Sequence, residues 1–224
     1  MEEPSKRNVS YRAYRLVAAQ LFVDVGANVG FYTCLASSLG VPVLALEPLP
    51  QNLTLLLRNL RENGCLGVEV LPVGLAEQPG VLTLHGGGTG ASLLAGWAGA
   101  LAGWERNIAV STFDRLVLPR ARGLRTLIKL DIEGAELPAL RAAAGLLALD
   151  PAPVWMVEIN LDEHHPAGRN PDFLAIFELF FKAGYRAVVA DSSAAALDLA
   201  AVTKRAASGG SPVHKLPLPT RRLA

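Results

Sequence analysis

Two groups of residues combine types and spacings that could do chemistry: a glycine turn followed by a distant glutamate, and a cluster of carboxylates. The turn is Asp24-Val25-Gly26-Ala27-Asn28-Val29-Gly30, after a short apolar run and before a helical pattern. Glycines at 26 and 30 let backbone approach a ligand where a Cβ would clash, and the helix start that follows attracts negative charge. A dinucleotide turn would read Gly-x-Gly-x-x-Gly. This one reads Gly-x-x-x-Gly, with an acid two residues ahead of it. A carboxylate beside a pyrophosphate is repulsive, whereas Asp24 suits a cation. S-adenosylmethionine carries both an ammonium and a sulfonium, and Gly26, Asn28 and Gly30 would surround it. A plainer role for Asp24 is to cap the turn. Glu47 stands 21 residues beyond Gly26 and ends the next apolar run. An acid there can accept both hydroxyls of an adenosine ribose.

The carboxylate cluster is Asp131, Glu133 and Glu136, with Glu158 at the end of a later apolar run. Such groups could take a proton from an alcohol, or hold a divalent ion through oxygen ligands. Negative charge at a helix start is a sufficient account of Glu136. Asp131 and Glu133, with Glu158 next, remain the candidate catalytic acids. His164 and His165 read as loop residues, and no metal site is expected because no third ligand follows at useful spacing.

These residues need elements to position them. Leu21 to Val25, Val41 to Leu46, Val68 to Val73, Thr126 to Asp131 and Val154 to Ile159 are apolar runs without period-two alternation, as buried strands of a parallel sheet are. Helical patterns lie between them. Leu53, Leu56, Leu57 and Leu60 fall on one face of a 3.6-residue period with Gly64 as a stop. One helix is expected over about 135 to 147. Another is expected from Asn170 as cap and Pro171 at its first position, with Phe173, Phe177, Phe180 and Phe181 on one face and Gly184 at its end. Tyr185 to Ala190 reads as a further strand. Residues 81 to 116 break the pattern and predict a hairpin with a mobile loop, carrying Gly86 to Gly90, Trp97 and Trp104.

The whole resembles the FkbM-type S-adenosylmethionine-dependent methyltransferases. The resemblance rests on Asp24 to Gly30, Glu47-Pro48 with Asn52 and Asn59, Thr112-Phe113-Asp114 with Leu116, Ile128-Lys129-Leu130-Asp131-Ile132-Glu133-Gly134-Ala135-Glu136, and Val157-Glu158-Ile159. Phe113 departs from the family's usual Leu, and Val73 to Glu77 lacks its usual small-residue and Ser-Asp pattern. The resemblance implies an α/β fold: a single doubly wound, Rossmann-like methyltransferase domain with a mostly parallel seven-stranded sheet, helices on both faces and a β-hairpin insertion. The domain would span 20–191, between a lead-in at 1–19 and a weakly ordered tail at 192–224. It also implies O-methylation of a hydroxyl on a small molecule or sugar. A nicotinamide-dependent oxidoreductase and a catalytically silent scaffold of the same fold are the alternatives.

Composition narrows the partners. A net charge of +1 over 224 residues argues against coating nucleic acid, and nucleic-acid bases are not the expected acceptor. No apolar run is long enough to span a bilayer, and the first residues lack a secretory pattern, so the cytoplasm is the expected compartment. Two cysteines, Cys34 and Cys65, exclude a disulfide framework.

Overall fold

A computed structural model describes residues 18–100, 103–162, 164–189, 195–208 and 216–218, the last three as backbone only. Its centre is β1 (Leu21–Val25), buried at all five positions. Along β1, Phe22 faces one apolar cluster while Leu21, Val23 and Val25 face the other, because side chains alternate across a strand. Both faces are covered, which is why the run shows no polar alternation.

On one side of β1 lie β2 (Val43–Leu46) and β3 (Val68–Leu71); β4 (Gly74–Leu75), β5 (Gly80–His85) and β6 (Glu105–Ser111) follow in the chain. On the other side of β1 lie β7 (Thr126–Leu130) and β8 (Val154–Val157). The five central strands are parallel. The chain therefore reverses its direction of travel between β1 and β7, and open α/β sheets bind ligands at such a switch point, beyond the strands' carboxyl ends.

The seven-stranded expectation is corrected to five parallel strands with one antiparallel edge. After β9 (Ala187–Val188) and β10 (Ala196–Leu197), β11 (Leu216–Leu218) occupies the outer edge of β8. The Tyr185 to Ala190 run shrinks to β9, which pairs antiparallel with nearby β10 instead of joining the main sheet. The expected hairpin forms as β5 and β6, and β4 adds parallel to β6 to make a separate three-stranded sheet.

Helices pack on both faces. α1 (Phe31–Ser38) and α2 (Pro50–Glu62) cover Phe22, Val43, Ala45 and Leu127. α2 is rolled from its predicted face: Asn52, Leu56 and Leu60 are buried, while Leu57 is exposed. That roll lets Asn52 and Asn59 reach Glu47 and the carbonyl of Val29. After two short helices, α3 (Phe113–Leu116) and α4 (Leu118–Ala121), the helix expected over 135 to 147 is divided into α5 (Glu136–Arg141) and α6 (Ala144–Leu147). The Asp114 carboxylate divides it by accepting from Gly145 and Leu146 N–H at 2.8 and 2.9 Å, while its own N–H donates to Ala142.

α7 (Phe173–Lys182) starts two residues later than the Asn170-Pro171 signal suggests. Asn170 holds the preceding turn instead, donating to Asn160 carbonyl and accepting from Asp172 N–H. Phe173, Phe177 and Phe180 are buried as their spacing requires. Within 192–224, α8 (Leu199–Ser208) places Val202 in the core. Of the predicted lead-in 1–19, residues 1–17 lie outside the described set, as does Ala190.

Candidate active site

The turn after β1 is built by backbone. Gly26 and Ala27 N–H both donate to Leu46 carbonyl at 3.0 Å, which fixes the turn on the end of β2. Gly26 has φ +76°, and a Cβ there would lie 1.8 Å from the Asp131 carbonyl oxygen. Gly30 has φ +90°, and a Cβ there would meet Leu56 at 2.3 Å. The close approach that each glycine permits is to the chain itself, joining β1 to β7 and α1 to α2. Asn28 is left-handed without being glycine, at φ 53°. Its N–H donates to Glu47 Oε2 at 2.8 Å, and its buried side-chain oxygen has no hydrogen-bond partner.

Glu47, at the end of β2, also accepts from Leu49 N–H at 2.9 Å and Asn52 Nδ2 at 3.3 Å. Burial pushes its carboxyl above the ordinary range, against the pull of these donors and with the help of the Asp24 charge. A carboxylate has about four acceptor sites, so one remains open at Oε2. The long Asn52 contact is the one that can yield a second.

Lysine in a fully buried strand needs a partner. Lys129, in β7, has two: Asp24 Oδ1 at 3.6 Å and Asp131 Oδ2 at 3.1 Å. It also donates to Gly26 carbonyl at 3.2 Å and lies over the Tyr32 ring. Burial pulls its ammonium down, but the two carboxylates outweigh burial and its pKa ends above the ordinary value. Asp24 is buried behind the cavity, with Thr33 donating to its other oxygen at 2.7 Å. Lys129 and Asp131 are the members of this chain that reach the cavity wall.

A cavity of about 290 Å³ opens at the switch point. That is near the lower end of small-molecule sites, roughly 300–1,000 Å³. Of the residues singled out in the sequence, it brings together Gly26, Asn28, Glu47, Asp131 and Glu133, and leaves Asp24, Gly30 and Glu158 outside its wall. Glu158 lies beside it in the sheet, its N–H donating to Leu130 carbonyl. Leu46, Val73, Leu75 and Ile108 supply an apolar wall. Glu77 is turned away and pairs with Arg141 at 3.7 Å.

Glu133 sits at φ 57°, a left-handed conformation uncommon for a residue with a side chain. Its carboxylate accepts from Trp97 Nε1 at 2.7 Å. Burial raises its pKa, helped by the charges of Asp131 and Glu158 and opposed by Trp97 and His164. Glu136 accepts from Ile132 and Gly134 N–H and is thus tied to the loop before α5. Its burial lifts its carboxyl to about 7. His164 and His165 flank the Trp97 ring.

Residues 24–187 match the model of the methyltransferase FkbM domain. The chain belongs to the FkbM methyltransferase family. No curated protein matches it in sequence. Among solved structures it is similar to an rRNA methylase from Streptococcus thermophilus, with a TM-score of 0.50 and 13% identity over 98% of this chain and 100% of that one. It is also similar to WbdD, with a TM-score of 0.53 and 11% identity over 100% of this chain and 41% of that one. At such identities the likeness is one of fold.

The cofactor of this FkbM methyltransferase is S-adenosylmethionine, and the cavity residues fit it. A spare acceptor site on Glu47 suits ribose hydroxyls, the unpartnered Asn28 oxygen and the Asp131 carboxylate suit cationic groups, and the apolar wall suits a base. The nicotinamide alternative loses its support. Among the described residues no helix is long and apolar enough to cross a membrane.

The sequence pattern does not single out Lys129, Asn52, Tyr32 or Ser92 as site residues, and it suggests a mobile loop for Trp97, which the structure buries. A signal exists for Lys129, since opposite charges within two mainly apolar runs, at Asp24 and Lys129, invite pairing.

Proposed function

We propose that the FkbM domain transfers a methyl group to a hydroxyl of a small molecule or sugar. Asn28, Glu47 and Asp131 would hold the cofactor, which supplies a methyl on a positively charged sulfur and leaves as the neutral thioether. Glu133 takes the hydroxyl proton as the new C–O bond forms, so the products are a methyl ether and a protonated carboxyl. The observation that carries this reading is the Glu133 carboxylate in the cavity wall, with a basicity raised by burial and neighbouring charge. An alcohol is a poor nucleophile at neutral pH, and a positioned base contributes about 100- to 10,000-fold.

Asp131, held by Lys129, stands beside it, and Glu158 is the nearest alternative base. A small acceptor rather than nucleic acid is favoured by the net charge of +1, which leaves little for phosphate contacts.

The test has two parts. Calorimetric titration should show S-adenosylhomocysteine binding and no binding of NAD. Glu133→Gln should lower turnover by about 100- to 10,000-fold on a panel of methyl glycosides, polyols and phenols, with cofactor affinity nearly intact. Collapse of cofactor binding would make Glu133 a cofactor ligand and move the base to Glu158. No change in either quantity would sink the mechanism.

A further inference from the structure

The insertion between β5 and β6 reaches back to Glu133 at two points. Trp97 donates its indole N–H to the carboxylate at 2.7 Å, and Ser92 donates its hydroxyl to the Glu133 carbonyl at 2.5 Å. Ser92 is itself held, since its backbone exchanges hydrogen bonds with His85 and its hydroxyl accepts from Leu94 N–H. The Trp97 ring is buried against Gly134, where a Cβ would lie 2.5 Å from a ring carbon. Glu133, left-handed and followed by a left-handed glycine, is thus clamped through both main chain and side chain by residues 36 and 41 positions away.

We propose that Trp97 is a positioning residue of this methyltransferase, with Ser92 in support: its N–H fixes the Glu133 carboxylate in the cavity wall, so that docking of the insertion aligns the base with the acceptor hydroxyl. This rests on Glu133 being the base. The plainer account is that a buried indole N–H needs an acceptor and Glu133 supplies it. Trp155 argues against that necessity. Its indole nitrogen is also buried, and it has no hydrogen-bond partner. The chain tolerates an unpaired indole in its core and places a paired one at the cavity.

The groups around Glu133 set the sign of the effect. Asp131 and Glu158 repel its charge, His164 attracts it, and Trp97 stabilises the ionised form; His165 lies across the Trp97 ring, and Lys129 is held by Asp131. Trp97→Phe keeps an aromatic ring in the core while removing the donor together with the pyrrole half of the indole, so Glu133 should hold its proton to higher pH.

The direct test follows the Glu133 side-chain carboxyl by carbon-13 NMR in protein saturated with S-adenosylhomocysteine, its signal assigned as the one missing in Glu133→Gln. Trp97→Phe should move the titration midpoint upward and shift the acid limb of kcat/KM to higher pH. With an acceptor that turns over in the panel, kcat should fall by about 10- to 100-fold while KM changes little. Trp97→Phe should add almost nothing in the Glu133→Gln background. Ser92→Ala gives a second, milder variant should the ring substitution impair folding, with a smaller loss of kcat that also vanishes in that background.

An unmoved midpoint, or losses that add to those of Glu133→Gln, would overturn the positioning role and leave the base assignment standing. A silent Glu133→Gln would instead remove the base assignment, and the positioning role with it.

Discussion

The two ends of the cavity are held by different kinds of bond. At the end proposed for the nucleotide, Gly26, Ala27, Asn28 and Leu49 all contribute main-chain N–H groups, and their acceptors are the carbonyl of Leu46, the last residue of β2, and the carboxylate of Glu47 just after it. At the end proposed for the acceptor, the Trp97 indole and the Ser92 hydroxyl hold Glu133 in a left-handed conformation, and both come from an insertion. Main-chain donors are in place once the parallel strands are in register. Side-chain donors are in place only after a separate sheet has docked. The first end is thus set by the sheet itself, the second by a long-range contact that can be altered without disturbing the sheet.

Lys129 ties the turn after β1 to Asp131, and replacing it gives the largest expected effect. Lys129→Met would leave Asp24 buried without its counter-ion, and breaking a buried pair typically costs about 3–5 kcal/mol. Urea unfolding should show a loss of that size. A loss below about 1 kcal/mol would mean that this ion pair does not hold the turn.

Glu136, tied to the loop that carries Glu133, adds a dependence of stability on pH. Its carboxyl is raised from 4.5 to about 7, so the folded state binds its proton more tightly than the unfolded chain does. The stabilising contribution is complete below about pH 4.5 and is lost as pH rises through about 7, on the order of 3 kcal/mol. Glu136→Gln should flatten this part of the stability profile, measured by denaturant midpoints at pH 5 and pH 8. An unchanged slope would place the titration elsewhere.

Glu47→Ala should act on the nucleotide end alone. It removes an acceptor of charged hydrogen bonds, so S-adenosylhomocysteine binding should weaken by roughly 1.5–3 kcal/mol in calorimetry. The Glu133 titration should stay where it is. Unchanged affinity would exclude the ribose assignment.

The smallest effect concerns a bond from α2 to the glycine segment, Asn52 Nδ2 to Gly88 carbonyl at 3.1 Å. Asn52→Ala should speed hydrogen exchange at 86–90 by a few-fold, a change of roughly 0.5–1.5 kcal/mol at most. In the unaltered protein that segment should already exchange faster than β7. Equal protection of the two would contradict a mobile loop over the acceptor side.

The proximity of the turn at 24–30 to Glu47 is legible in the sequence because its cues are local. A glycine turn after a buried strand and a glutamate after the next strand are adjacent whenever two parallel strands pair, and β1 pairs with β2. The pairing of Asp24, a cofactor candidate by sequence, is not local: β7 brings Lys129 beneath the turn, 3.6 Å from that carboxylate. Likewise the reason for Gly26 lies in the Asp131 carbonyl, 105 residues further along the chain.

From the sequence alone came the parallel α/β order, the turn at 24–30, Glu47 as its partner and the family resemblance, all of which follow from short-range periodicity and from residues that neighbouring strands must align. Tertiary structure alone decided that the sheet has five parallel strands, that Asp114 divides one helix into two, and that Trp97 is buried against Glu133 rather than loose above it. Apolar periodicity states that a segment is buried without stating against what. An indole 36 residues from its carboxylate partner leaves no repeat in the sequence by which to find it.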